Sequence, residues 1–262
     1  MNDAEVARVT AEEGARIVRL RFGTHLEKLS KVGDDFATNA DIEAEAAMVA
    51  VLRRERPDDA ILGEESGRTG SNDAARTWLI DPLCGTINYA VRMRVVAVNV
   101  ALSVNGRPRT AAVADPFNEE LYWSDGESAW LRLDGNDQPL VPSSSSRLVD
   151  LNLDPPFANA PAFRAAELAA DPEFSERFRP RVVSSSIALT WVASGQRAAY
   201  VTDGDVRGSV HFAAGLALVE SAGGVVTDLR GEPWGSGATG ILAAADARVH
   251  AELVRLIAKR WD

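Results

Sequence analysis

The 262-residue chain reads as an α/β protein in two halves, the first a helix pair followed by a largely antiparallel sheet, the second an alternation of strands and helices. Three observations carry that reading. Two segments with apolar residues at helical spacing precede the first extended run. Extended runs then follow one another, separated by Asn105-Gly106, Asp125-Gly126 and Asp134-Gly135, dipeptides that favour tight reversals. Beyond a stretch rich in Pro and Ser, strand-like and helix-like segments take turns.

In chain order, residues 4–22 place Val6, Val9, Ala15, Ile17, Val18 and Leu20 at roughly helical intervals. Residues 39–54 do so again, opened by Thr38-Asn39-Ala40-Asp41, a capping box with Asp in place of Glu. Strands are expected at Ala60–Leu62, Thr77–Leu83, Val95–Val104, Thr110–Ala114, Leu121–Ser124 and Ala129–Leu133. Gln138–Arg147, with Pro139, Pro142 and four consecutive serines, carries no apolar period and reads as a loop at a domain boundary. The expected division is a domain over 1–146 that carries the loop described below and a domain over 147–262 that closes the site. In the second domain strands are expected at Val149–Leu153, Arg181–Val183, Ala198–Val201, Val225–Asp228 and Gly240–Ala244. Helices are expected near 160–170, 185–194, 211–222 and 246–260, the third ending at Gly223-Gly224.

With 28 basic and 38 acidic side chains the net charge is −10, and no basic run appears. Nucleic acid and anionic membranes are therefore not expected partners, and a small-molecule substrate is. An apolar content of 46% supplies a full core. The acidic N-terminus lacks a charged leader with an apolar stretch, and no run is long enough to span a bilayer. One cysteine rules out an internal disulfide framework, so the expected location is cytoplasmic.

The segment Trp78-Leu79-Ile80-Asp81-Pro82-Leu83-Cys84-Gly85-Thr86-Ile87-Asn88-Tyr89 is the most informative. A strand runs into Asp81-Pro82, and a Gly-Thr-x-Asn turn then opens a short helix. A carboxylate, a hydroxyl and free backbone N–H groups meet there, which suits a metal ion and a phosphate. Taken with Gly63-Glu64-Glu65-Ser66-Gly67, Asp35–Asp41, His211–Gly215, Glu220–Gly224 and Thr227-Asp228, it resembles the inositol monophosphatase family. That resemblance implies a layered αβαβα sandwich of the inositol monophosphatase and sugar phosphatase type, often dimeric, that hydrolyses phosphate monoesters with Mg²⁺. It implies that Glu64, Asp81 and the Leu83 carbonyl hold one metal, that Thr86 and Asp41 orient and activate water, and that N–H groups at Gly85 and Thr86 hold phosphate.

Two positions depart from the family pattern. Cys84 and Val210-His211 stand where the family has aspartates that hold a second metal. Mg²⁺ has little affinity for thiolate or imidazole, so the second Mg²⁺ site is expected to be absent. The resemblance also implies that the two residues converge in space. A thiol beside an imidazole is a nucleophile–base pair. The expectation drawn from this is covalent acyl or amide transfer or hydrolysis on a small molecule. Cys84 would be the nucleophile, with its pKa lowered by a helix N-terminus, and His211 a neutral base at the start of a helix capped by Ser209. Asp81, Glu64 or Asp205 would orient the imidazole, and Gly85 and Thr86 would supply oxyanion donors. No cofactor would be required, with Mg²⁺ possible at one residual site.

Three other readings compete. The first is a phosphomonoesterase with a one-metal site of Glu64, Asp81, Thr86 and Asp41, acting on an inositol, sugar, nucleotide or histidinol phosphate. The second is a catalytically inactive protein with a decayed site. The third is a Zn²⁺ or Fe²⁺ site of Cys84, His211, Asp81 and Glu64. Ser184 and Asp205 are candidate substrate contacts, although a helix cap explains Ser184–Ser186 equally well.

Overall fold

The computed structural model describes residues 1–31, 36–155, 158–204, 206–234 and 239–261. The chain forms two compact units. The first takes Met1–Gln138 with the returning segments Ser185–Ile187 and Val210–Leu218, and the second takes Pro139–Ser184, Ala188–Ser209 and Val219–Asp262.

The first unit opens with α1 (Asp3–Arg21), started by a reciprocal pair in which Asn2 Oδ1 accepts the Glu5 N–H and Glu5 Oε2 accepts the Asn2 N–H, each at 2.8 Å. Its buried face is built from Val6, Ala7, Ala11, Ala15 and Val18, as the helical period requires. The short strands β1 (Lys28–Ser30) and β2 (Phe36–Thr38) pair antiparallel and lead into α2 (Asn39–Glu55). There follow β3 (Ala60–Gly63), β4 (Gly67–Thr69), β5 (Arg76–Cys84) and α3 (Thr86–Ala90). The meander β6 (Ala97–Val104), β7 (Arg107–Asp115), β8 (Glu120–Ser124), β9 (Ala129–Leu133) and β10 (Asn136–Pro139) completes an eight-stranded sheet. Its order is β10-β9-β8-β7-β6-β5-β3-β4, with β3 and β5 parallel.

Helices α1 and α2 cover one face of this sheet. Met48 and Leu52 from α2 join Val6 and Val18 from α1 against Trp78, Ile80, Val98, Val100 and Leu102. Trp78 is fully buried, and its indole N–H donates to Asp59 Oδ2 at 2.8 Å, so its one polar atom is satisfied.

The second unit holds β11 (Leu148–Asn152), α4 (Ala165–Ala169), α5 (Pro172–Arg177), β12 (Arg179–Val182), most of α6 (Ile187–Ala193), β13 (Ala199–Thr202), the end of α7 (Ala213–Ser221), β14 (Val225–Thr227), β15 (Ile241–Ala244) and α8 (Ala247–Ala258). Its five strands run in the order β12-β11-β13-β15-β14. The buried face of α8, Val249, Leu253, Leu256 and Ile257, packs with Val149, Leu151, Val201 and Leu242.

Departures from expectation have local causes. The helix expected over 160–170 is confined to Ala165–Ala169, and a separate unexpected helix follows it, because Asp171 accepts the N–H groups of Glu173 and Phe174 and caps a new helix with Pro172 in its first turn. β1 and β10 are exposed along their whole length, so no apolar alternation marks them. The third expected helix begins at Ala213 rather than 211, which leaves His211 ahead of the first turn. Among the described residues no helix is long and apolar enough to cross a membrane.

Candidate active site

The site is built where β5 breaks its ladder. Asp81 pairs with Asn99 of β6, Cys84 pairs with Ala97, and the register shifts between them. The bulge lets Asp81 Oδ1 accept the N–H of Leu83 at 3.0 Å. Gly85 then takes φ 108° and ψ 39°, a left-handed conformation that disfavours a Cβ, and α3 starts with no side chain capping it.

A second strut comes from the start of α2. Thr38 caps the helix, and its N–H and hydroxyl both donate to Asp41 Oδ2, at 2.8 and 2.5 Å. The other oxygen, Oδ1, faces Thr86 Oγ1 at 3.0 Å, and the same hydroxyl lies 3.2 Å from the Leu83 carbonyl. Asp41 is fully buried, and burial raises its pKa above the ordinary carboxylate range.

A third strut is the turn between β3 and β4. Glu45, almost fully buried on α2, accepts the N–H of Glu65 at 2.8 Å and of Ser66 at 2.7 Å, which fixes the turn that carries Glu64. Glu64 Oε1 accepts from Lys31 Nζ at 2.8 Å, and Lys31 also reaches Glu65 Oε1 at 2.7 Å. Glu64 Oε2 is buried with no hydrogen-bond partner. Burial first, then the charge of Asp81, pushes the Glu64 pKa up.

Cys84 and His211 meet at Asp81, as the resemblance implies. One ligand atom from each of Asp81, Cys84 and His211 lies within 4.8 Å of the others. His211 Nδ1 is 2.8 Å from Asp81 Oδ2 and 3.8 Å from Glu64 Oε2. Cys84 Sγ accepts the Ser186 N–H at 3.2 Å, and Ser185 Oγ donates to the Cys84 carbonyl at 3.0 Å. Asn99 Nδ2 donates to Ser186 Oγ at 2.8 Å and faces Asp81 Oδ2 at 3.4 Å.

The electrostatics oppose the expected nucleophile–base pair. Burial works against a charged His211, but the charge and hydrogen bond of Asp81 outweigh it and raise the pKa, so the imidazolium is favoured over a neutral base. Burial and the nearby Asp81 carboxylate push the Cys84 thiol up, where a helix N-terminus was expected to lower it. Burial alone would raise Asp81, but His211 pulls it down, so its carboxylate is the stable partner of the pair.

The sequence model of the inositol monophosphatase family matches residues 2–262. The chain belongs to the inositol monophosphatase family. An inositol-1-monophosphatase from Caulobacter vibrioides is 32% identical over 84% of this chain and 86% of its own length. The inositol-1-monophosphatase ImpA of Mycolicibacterium smegmatis is 32% identical over 87% of this chain and 82% of its own, and the Nus factor SuhB of Escherichia coli 34% over 79% and 76%. The solved inositol monophosphatase from Anabaena superposes with a TM-score of 0.82 at 27% identity, covering 98% of this chain and 95% of that one. The suhB protein of Bartonella henselae superposes with a TM-score of 0.85 at 23% identity, covering 97% and 98%. These likenesses bear out the mixed α/β sandwich of the inositol monophosphatase type.

The expectation of a cysteine-dependent transferase or hydrolase is corrected. A family match along the whole chain and inositol monophosphatases among its relatives point to a phosphomonoesterase, and burial with the Asp81 carboxylate favours the neutral thiol over the thiolate the dyad needs. The family is Mg²⁺-dependent, so the expectation that no cofactor is required loses its support.

Among the described residues of the site, one group has donors of the kind Mg²⁺ takes. Glu64, Asp81 and the Leu83 carbonyl offer hard oxygen donors, and the orphaned Glu64 Oε2 is a buried donor of the kind a cation satisfies. Cys84 and His211 do not suit Mg²⁺.

Of the remaining candidates, Ser184 lies in the second unit, where its hydroxyl donates to Asp154 Oδ1 at 3.0 Å. Asp205 lies outside the described residues. Sequence reasoning passed over Glu45, Lys31 and Asn99. Glu45 stands four residues after Asp41 on α2, one turn along the same face, and that spacing was a signal available in the sequence. Asn99 is the register partner of Asp81, which only strand pairing reveals.

Proposed function

We propose that this protein is a metal-dependent phosphomonoesterase that hydrolyses the monophosphate of a small polyol of the inositol class. The observation that carries the reading is the part-buried chain from Asp41 through the Thr86 hydroxyl to the Leu83 carbonyl, on the segment that also carries Asp81. Support also comes from the inositol monophosphatases among its relatives. A divalent cation held by Glu64, Asp81 and the Leu83 carbonyl would supply positive charge to phosphoryl oxygens and acidify water.

The protein's own residues then have distinct tasks. Thr86 donates its hydroxyl proton to Asp41, which leaves its oxygen lone pairs free to accept a hydrogen bond from water. Asp41, with its pKa raised by burial, is a stronger base than a surface aspartate; it takes the Thr86 proton while Thr86 takes one from water, as the new P–O bond forms, the ester P–O bond breaks and the departing alcohol oxygen is protonated from solvent. Gly85 turns the chain so that the N–H groups opening α3 are left to phosphate oxygens rather than to a capping side chain.

The test is release of inorganic phosphate from inositol 1-phosphate by the chelator-treated full chain, with and without added Mg²⁺. Phosphate release that requires Mg²⁺ and falls at least about 100-fold in Glu64→Gln is the expected result. Release that ignores chelation, or no release from any phosphate monoester offered, would overturn the reading.

A further inference from the structure

We propose that Cys84, His211 and Asp81 form a binding site for one Zn²⁺ ion, distinct in ligand chemistry from the oxygen-lined position of Glu64, Asp81 and Leu83. The three ligand atoms lie within 4.8 Å of one another. A tetrahedral zinc with bonds of about 2.0–2.3 Å sets its ligands about 3.3–3.6 Å apart, so no pair has to close by more than about 1.5 Å. His211 Nδ1 and Asp81 Oδ2, now 2.8 Å apart, would instead open slightly as the ion replaces the proton between them.

The donor set selects the ion. One thiolate, one imidazole and one carboxylate match zinc, whereas Mg²⁺ asks for near-octahedral oxygen and keeps its waters. Two of the three protein ligands are already oriented by outer partners. The Ser186 N–H points at Cys84 Sγ, and the Leu83 N–H and Asn99 amide hold the two oxygens of Asp81. Glu64 Oε2, assigned above to the oxygen-lined position, lies 3.8 Å from His211 Nδ1, so the two positions adjoin. Asn99, itself fully buried, has an oxygen with no partner.

Binding balances by proton release. Zn²⁺ enters, and the thiol proton and the imidazolium proton leave to solvent. Three protein ligands leave the fourth tetrahedral position to an exogenous oxygen, the pattern of an open rather than a closed structural site. The zinc site stands on these residues alone and does not depend on phosphate hydrolysis.

The experiment strips the full chain with chelator, titrates it with Zn²⁺ in excess Mg²⁺ by calorimetry, and measures retained zinc by elemental analysis. A parallel Co²⁺ derivative is examined for thiolate-to-metal charge-transfer absorption. We expect one zinc retained per chain against excess Mg²⁺ and a charge-transfer band in the cobalt form. Cys84→Ser should abolish the band, and Cys84→Ser and His211→Ala should each weaken zinc binding by more than the roughly 10- to 100-fold lost with an outer-shell partner. Thermal melts show whether each variant is folded. The proposal is overturned if folded wild-type protein retains no zinc, or if both variants bind it as tightly as wild type. Zinc retained without phosphate release would sink the phosphatase reading alone, and phosphate release without zinc would sink this one alone.

Discussion

Gly63 at the end of β3 packs directly on the carboxyl group of Glu45. A Cβ added there would stand 2.6 Å from Cδ, 2.6 Å from Oε1 and 2.8 Å from Oε2. Gly63 has no left-handed backbone angle, so the cost of Gly63→Ala is one of space alone. Ordinary contact begins at 3.4 Å, so the carboxyl group has to retreat by about 0.6–0.8 Å. Its two acceptor contacts, to the N–H groups of Glu65 at 2.8 Å and Ser66 at 2.7 Å, belong to the same turn as Gly63 and lengthen with that retreat to about 3.5 Å, beyond useful hydrogen bonding. Two carboxylate-accepted bonds at about 1.5 kcal/mol each, less what relaxation of the strand recovers, give a loss of about 2–3 kcal/mol. Urea unfolding monitored by circular dichroism measures it. In the Glu45→Ala background, where the obstacle is gone, the same change should cost less than about 1 kcal/mol, so the double-mutant cycle isolates the contact. A cost below about 0.5 kcal/mol in wild type, or an equal cost in both backgrounds, would refute the packing argument. Because Glu64 rides on that turn, phosphate release should fall together with stability.

Other perturbations follow from the same geometry. Arg197→Leu removes the guanidinium that binds both oxygens of the fully buried Asp150, at 2.9 and 3.0 Å, and should destabilise by about 3–5 kcal/mol in urea titration. Burial pushes the Asp150 pKa up to about 6 although Arg197 opposes it, so the folded state holds this proton more tightly than the unfolded one. The stability it contributes is complete below about pH 4 and is lost as pH rises through about 6, a difference of about 3 kcal/mol. Asp150→Asn should flatten that part of the stability–pH curve, and an unchanged slope would contradict the assignment. Thr38→Ala removes the cap of α2 and should cost about 1–2 kcal/mol by thermal melt, while taking from Asp41 the hydrogen bond of the Thr38 hydroxyl, leaving that of the backbone N–H, and slowing phosphate release.

Much of this architecture was legible because local chemistry and tertiary demand agree. The capping box at Thr38 and Asp41 starts α2 where the pattern places it, and the same two residues hold Asp41 beneath Thr86. The turn dipeptides mark the reversals β6–β7, β8–β9 and β9–β10, while the β7–β8 turn, Pro116 to Glu119, carries none. What the sequence could not carry was charge balance. Cys84 has a helix start beside it, which favours thiolate, yet burial and the Asp81 carboxylate outweigh a helix of five residues. His211 looks like a neutral base until Asp81 is found 2.8 Å away. Both depend on a partner distant along the chain, and pKa follows from neighbours in space. Glu45 differs, since its spacing from Asp41 puts both acids on one face of α2, but its service to the N–H groups of Glu65 and Ser66 shows only in the fold.

The Asp41–Thr86 contact is the centre of the proposed hydrolysis, and Thr86→Val tests it most directly, because it keeps the side-chain volume and removes only the hydroxyl. Steady-state phosphate release from inositol 1-phosphate in Mg²⁺, with folding checked by circular dichroism, should show kcat reduced by about 10²–10⁴-fold. Turnover equal to wild type in folded Thr86→Val protein would contradict the account.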